Sequence, residues 1–435
     1  MSEVAITPLL DVSSFRSMGS AVSRRVLVQP ENLTSVTLGN ATQDVYFALP
    51  SGRYSMINGQ NSYLFFDALF TITTASALGG FSNGSGSSAI RSLELIIGNQ
   101  SVELLDRYNN FAACVEDFQS KSRDLTIGTI LGGNSGTYIK VGSGIETTQR
   151  FCVPIYSSVL GTLASQVCPA VDGIRLKLTF ETLAIAGQES NDGGSSKGTA
   201  AIAGCVITNL NLAMDYLDVD PVIHSQLIQE SGGVFKTHGT GVANFQTTTA
   251  ASSVSSISVL IPARYSSVKS YITSFRAAAT TGADAGKFNS FARYNPRIRQ
   301  FSYRIDGRQY PSIPIICHNG TVSLAGEVFM ELIKCFDAAN AVTFDCVFNL
   351  SQYLATGSAS YDPLNQDSFL IGVDFEEAMG GGRAVVSGKD TNSNNTFLEA
   401  QFLDTDMPGM LIDTYALYDN ILECNMMTGE VSVSK

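Results

Sequence analysis

Residues 92–113 read SLELIIGNQSVELLDRYNNFAA, and here a strand pattern gives way to a helical one. Ser92–Ile97 has the composition of a short strand. From Leu104 on, the apolar residues Leu104, Tyr108, Phe111, Val115 and Phe118 recur at intervals of four, three, four and three. That spacing puts them on one stripe of a helix, with Asp106, Arg107, Asn110 and Asp117 largely off it. Such a stripe is packing surface. Strands are expected upstream at Val26–Val28, Asp44–Leu49 and Tyr63–Ile72, with Gly79–Ser88 (GGFSNGSGSS) a loop by composition. Downstream, Phe151–Tyr156 reads as a strand. Ile174, Leu176, Leu178 and Phe180 alternate with Arg175, Lys177 and Thr179, as a strand with one wet face requires. Gly187–Thr199 reads as a polar loop. Leu210, Leu212, Met214 and Tyr216 resume the alternation.

The same order then restarts. Asp218-Val219-Asp220-Pro221 is the natural boundary, because proline restricts the residue before it and the acidic pair suits a turn. Ile257, Val259 and Ile261 alternate with polar neighbours, apart from Leu260. Phe301–Ile305 and Tyr310–Ile316 flank Asp306-Gly307, a hairpin signal. A second helix follows with Ala325, Val328, Phe329, Leu332 and Phe336 on its apolar stripe. Strands are then expected at 342–348, at Phe369–Phe375, at Phe397–Leu403, at Leu411–Leu417 and at Ile421–Met426, with Gly380–Asn395 a loop. Each half therefore holds many short strands, one main amphipathic helix and long polar loops. The expected fold is all-β, with two tandem eight-stranded antiparallel jelly rolls at 26–218 and 219–435 behind an irregular arm at 1–25. An immunoglobulin-like unit is too small for either half, and a propeller would need a shorter repeat.

Composition points to assembly. The chain has 435 residues, with Lys+Arg 27 against Asp+Glu 39 and a net charge of −12. An acidic chain repels phosphate, which argues against coating nucleic acid. Charged residues make up 15%, against about 25% in an ordinary globular domain, and mean hydropathy is +0.12. A surface this poor in charge is expected to be covered by sister subunits. The N-terminal residues do not read as a signal peptide, and no apolar run reaches the length of roughly 18 residues of a spanning helix. The eight cysteines form no CxxC pair, so free thiols in a reducing compartment are expected, with no metal site and no cofactor.

No phosphate loop, HExxH pair or nucleophile elbow occurs. His224, His238 and His318 have no ligand-like spacing, and Gly380-Gly381-Gly382-Arg383 has no strand-to-helix context for binding an anion. No catalytic residue is expected. Arg293, Arg297, Arg299, Arg304 and Arg308 are interleaved with Tyr294, Phe301, Tyr303 and Tyr310. Arginine and tyrosine are enriched at protein interfaces, and in an acidic chain that reading outweighs nucleic-acid stacking or a solvated face. Arg293, Arg297, Arg299 and Tyr303 are thus candidates for intersubunit contact.

Several of these stretches carry a resemblance. Ser92–Ala113 resembles the strand-to-helix segment of double jelly-roll major capsid proteins, in particular those of small eukaryotic double-stranded DNA viruses of the Polinton, adintovirus and virophage type. FCVPIYSSVLG at 151–161, PAVDGIRLKLTF at 169–180, YRIDGRQYPSIPI at 303–315, SGKDT at 387–391 and YDNILECNMMTGEV at 418–431 are similar to further segments of that family, in the same order. The resemblance implies homotrimers with a pseudo-hexagonal outline that tile an icosahedral shell. It also implies neighbouring capsomers, penton and minor capsid proteins as partners, and a place in the virion after assembly in the host cytoplasm or nucleus. Sequence-specific nucleic-acid binding is not implied, and an internal membrane is allowed. Arg16, Arg24 and Arg25 of the arm would lie at the base of the shell. A carbohydrate-binding or adhesive sandwich is the alternative. It predicts secretion and aromatic platforms, whereas no signal peptide is read and Trp is 0. An enzyme on a β-scaffold would need convergent acids and histidines that the sequence does not offer.

Overall fold

The computed structural model describes residues 22–72, 78–119, 147–191, 196–197, 202–250, 254–277, 290–336, 350–355, 367–376, 388–403, 409–426 and 430–435. Alternation builds its sheets. In Ile174–Phe180 the even-numbered residues are buried and the odd-numbered ones face outward. There Lys177 lies 3.2 Å from Asp44 and 3.8 Å from Glu94 on the neighbouring strands.

In the first half one sheet runs β1 (Val22–Val28), β13 (Ile202–Asp218), β4 (Ser55–Ile72), β8 (Thr147–Pro154). Short strands β2 (Val36–Leu38) and β9 (Cys168–Pro169) flank it. The facing sheet runs β3 (Gln43–Ala48), β10 (Ile174–Phe180), β6 (Ile90–Ile97), β7 (Gln100–Asp106). A third, small sheet joins β12 (Ser196–Lys197), β11 (Gly187–Asn191) and β5 (Leu78–Phe81). Phe66, Phe70, Phe81 and Phe151 cluster in the core, with ring centroids 4.9 Å apart for Phe70–Phe81 and Phe81–Phe151.

The second half repeats the plan. One sheet runs β14 (Val234–Thr249), β21 (Met410–Asn425), β16 (Val268–Ala277), β19 (Leu370–Asp374), with β22 (Val431–Ser434) on β21. Its partner runs β15 (Ser256–Ile261), β20 (Thr396–Phe402), β17 (Ile298–Ile305), β18 (Arg308–Ile316). In chain order, β1, β3, β4, β6, β7, β8, β10 and β13 correspond one by one to β14 through β21. Both halves place these strands in the same sheet order, and every strand-to-strand pairing is antiparallel. Each half is an eight-stranded jelly roll, and every described sheet lies within one half.

A helix sits at the same place in each half, α1 (Tyr108–Gln119) after β7 and α3 (Ala325–Cys335) after β18. Between the halves runs α2 (Pro221–Glu230). Asp220 caps α2, its Oδ1 accepting from the Val222 amide at 2.8 Å, and Pro221 takes the first helical position, where a missing N–H costs nothing. The expected turn at 218–221 is thus the start of a helix. The β17–β18 hairpin forms as expected, with Asp306 and Gly307 both in the left-handed region at φ 51° and 72°.

Other expectations change. Leu104 belongs to strand β7 and is exposed, so the first helix starts at Tyr108. The segment at 79–88 is no open loop. It forms β5 and two 3-10 turns, and Ser82, Ser85, Ser87 and Ser88 are buried there. Their hydroxyls are satisfied, with Ser82 and Ser88 donating to backbone carbonyls and Ser85 and Ser87 to Glu116 Oε1, so a stretch that looks wet by composition fits in the interior. The polar stretch from Gly187 carries β11 and β12. The two strands expected at 411–426 are the single β21. The strand expected at 342–348, with Cys346, lies outside the described residues, as does the first half of the loop at 380–395.

Candidate assembly site: the seam and the outer faces

Helix α1 carries the seam between the halves. Its sequence, YNNFAACVEDFQ, is amphipathic, yet every residue from Tyr108 to Phe118 is buried. The apolar stripe packs into the first half. Tyr108 donates to the Pro154 carbonyl at 2.7 Å, and the Phe111 ring sits 5.9 Å from that of Tyr156. The polar face is covered by the second half. Asn110 Nδ2 donates to Tyr415 Oη at 2.8 Å and lies 3.2 Å from Ser274 Oγ and 3.3 Å from Asp413 Oδ2. Phe111 meets Tyr415 at 5.2 Å and Phe118 stacks on Phe336 at 5.1 Å. A helix polar on one side and buried all round is stable only if its polar groups find partners. Asn110 finds them on β16 and β21, while Asn109 and Glu116 bond to Glu181 and to Ser85 and Ser87 of the first half.

At the far end of α1, Asp117 pairs with Arg293 of the second half and accepts from Ser368 Oγ at 3.0 Å. Burial works against the Arg293 charge, but the Cys114 and Asp117 groups and the Asp117 hydrogen bond hold its pKa above the ordinary value. Behind the pair, Arg276 makes two bonds to Asp413 Oδ2, at 2.9 and 2.6 Å.

A second set of contacts joins the loop after β8 to β14 and β21. The Ser165 amide donates to the His238 carbonyl at 3.1 Å and the Thr240 amide to the Leu163 carbonyl at 3.0 Å. Gly239 lies between them, so close to Ser158 that a Cβ would sit 1.9 Å from its carbonyl oxygen. Asn420 donates to Ser158 Oγ at 2.7 Å. Beneath, Glu103 accepts from Ser157 Oγ at 2.6 Å and from the Ser158 amide at 3.0 Å. Burial pushes its carboxyl up, although these bonds pull it down. Asp419 has the opposite balance. Burial raises its pKa, but hydrogen bonds from His238 and Ser267 and the Lys269 charge outweigh that and hold it below the ordinary 3.8.

These shifts set a pH profile. Asp67, lowered by its bond to Arg150, Asp218, lowered by Ser55 and Arg24, and Asp419 contribute stability above pH 3.8 that is lost as pH falls through their depressed values. Glu103 has the reverse sign, its contribution being full below its ordinary 4.5 and lost as pH rises through its raised value. Glu103 therefore works to raise the melting temperature from neutral pH towards 4.5. His224, whose pKa burial and the Arg53 charge lower, works to reduce it as pH falls through 6.5, and the aspartates reduce it below 3.8. Glu103→Gln should remove the rise between neutral pH and 4.5. An unchanged profile in that variant would contradict this assignment.

The residues singled out in the sequence divide. Arg293 and Tyr303 are 1% and 0% exposed inside their own chain, which removes both from any contact between subunits. Arg293 joins the two halves, and Tyr303 stacks on Tyr271 in the second core. Arg297 and Arg299 are exposed. Arg16 lies outside the described residues. Arg24 and Arg25 do not belong to an irregular arm, because β1 begins at Val22 and pairs with β13. Arg24 bonds Asp218 at 2.7 Å, and Arg25 stands over the Tyr63 ring at 5.4 Å. The seven described cysteines are free. Among the described residues no cluster of His, Cys, Asp or Glu is placed to hold a metal ion, and no helix is long and apolar enough to cross a membrane.

Sequence reasoning missed most of the seam. Asn110 and Asp117 lie largely off the apolar stripe of α1, and its spacing gives no sign that they are buried. The available signal was its charge, since α1 has Glu116 and Asp117 but no lysine or arginine, so its acids need cations from elsewhere in the fold. Glu103, Ser158 and Gly239 carry no local signal.

No family model and no curated protein sequence matches the chain. Solved structures do. One is the PBCV-1 protein VP54 as fitted into a reconstruction of the virophage Sputnik, with a TM-score of 0.62 at 12% identity over 97% of this chain and 98% of that one. The Sputnik virophage structure itself gives 0.56 at 10% identity, covering 100% and 94%. The mavirus major capsid protein gives 0.54 at 10% identity, covering 100% and 95%. The chain has the double jelly-roll fold of these viral major capsid proteins.

Proposed function

We propose that the chain is a major capsid protein, with three copies forming a capsomer of pseudo-hexagonal outline and capsomers tiling an icosahedral virion shell. The observation that carries this reading is the pair of equivalent jelly rolls locked side by side by a buried polar seam. Three such chains bring six equivalent units to one particle, which fits six-sided packing on a shell. The likeness over nearly the whole chain to the PBCV-1, Sputnik and mavirus structures supports it. So does a surface with few charges, because faces buried against neighbours need few. On this reading the role is structural rather than enzymatic, with neighbouring capsomers, penton and minor capsid proteins as partners. The arm at the N-terminus lies at the base, and the exposed Arg297 and Arg299 contribute to contact between subunits. Negative-stain electron microscopy of the purified protein should show six-sided particles or shells built of them. Featureless single-chain particles at every concentration would contradict it.

A further inference from the structure

The seam also holds two thiols that take no part in the contacts above. Cys424 lies near the end of β21 and Cys168 in β9, and both are fully buried, at 0% exposed. Strand alternation puts Asn420, Leu422 and Cys424 on one face of β21. From that face Asn420 reaches Ser158 of the first half, so Cys424 points at the first half as well. β22 extends the face, with Val431 opposite Cys424 and Val433 opposite Leu422. On the other side of the seam, Cys168 is held against β4, where it pairs with Ile57. Three residues before it, the Ser165 amide is fastened to the His238 carbonyl of β14. The two side chains meet between these anchors, the Cys168 thiol donating to the Cys424 sulfur. Their chain neighbours, Pro169 and Ala170 from the first half and Asn425 and Met426 from the second, line one cavity of about 400 Å³.

We propose that Cys168 and Cys424 form a redox modification site, at which a peroxide converts the two thiols to a disulfide that joins the two jelly rolls covalently. The inference goes beyond the capsid reading and does not depend on it. A disulfide requires two Cβ atoms that the fold already holds close, and a thiol bonded to a thiol across the seam meets that requirement. Cys424 is the attacking group. The bond from Cys168 holds its pKa below the ordinary 9.0 against the effect of burial, whereas that same bond and burial push Cys168 well above it. The Cys424 thiolate attacks one oxygen of hydrogen peroxide and the O–O bond breaks. A sulfenic acid forms, and the departing hydroxide takes up the proton that Cys424 gave up. The Cys168 sulfur then attacks the Cys424 sulfur, and its proton leaves with the sulfenic hydroxyl as water. The two thiols lose two electrons, and the peroxide becomes two molecules of water. In a reducing compartment the pair stays free.

The test treats full-length protein, purified under a reducing agent, with hydrogen peroxide. The chain is then unfolded with its remaining thiols blocked, digested and read by mass spectrometry. A linked pair of peptides holding Cys168 and Cys424 is expected, and it should disappear on reduction. The bond closes a loop of more than half the chain, so the oxidised protein should melt roughly 5 °C above the reduced protein. Cys424→Ser should abolish both the linked peptides and the shift. Cys152→Ser, at a half-buried position on β8, should keep both. Recovery of Cys168 and Cys424 from treated wild type as free thiols or as sulfinic acids, or linked to other cysteines, would overturn the assignment. That measurement is made on wild type, so it decides the matter even if a variant fails to fold.

Discussion

Arg293→Ala is expected to lower the stability of the folded chain by about 3–5 kcal/mol. The side chain is 1% exposed and its partner Asp117 is equally enclosed, between α1 of the first half and the second half. Truncation leaves a buried carboxylate with Ser368 Oγ as its remaining side-chain donor among the described residues. Unpaired charge in a low-dielectric interior is far more costly than the pair itself is stabilising. The combination Asp117→Leu with Arg293→Met removes both charges, so it should lose less than the single variant. Urea unfolding followed by tyrosine fluorescence measures this, since the chain has no tryptophan. A loss under about 1 kcal/mol, the range of a surface pair, would show that the pair is not sealed in the seam.

Gly239→Ala is the second large effect. A Cβ there would sit 1.9 Å from the Ser158 carbonyl oxygen, and the flanking amide bonds at Ser165 and Thr240 pin the two backbones together. Relief requires the halves to part locally and break those bonds. Overpacking of a rigid contact costs about 1–3 kcal/mol and more where backbone must move, so about 3 kcal/mol is expected. Gly204→Ala in β13 is the control, because nothing lies within 4 Å of its added carbon. Equal melting temperatures for the two variants would contradict the close approach.

The fold was readable because period-2 alternation and a 3.6-residue stripe are local properties, and both recur in the same order in each half. Ile174–Phe180 and the Asp306-Gly307 hairpin needed no tertiary information. The candidate site was less readable because its partners are distant. Asn110 meets Asp413 and Tyr415 some three hundred residues on, and no spacing rule reports that. Polarity misled in the same way at Ser82–Ser88 and Asp117, where composition says wet and a specific distant partner makes the interior acceptable. The basic cluster at 293–310 does not form one surface. Arg293 precedes β17 and is buried, and a register shift in β17 between Ile298 and Gln300 breaks the alternation, so that Arg299 turns out while Tyr303, four residues on, turns in.

The central claim is that two jelly rolls in one chain make a three-chain capsomer. Sedimentation of the purified wild-type protein tests it most directly. The account predicts a native particle of three times the 46.4 kDa chain mass, or larger assemblies that dissociate to it. A chain that sediments at its own mass at every concentration would contradict it.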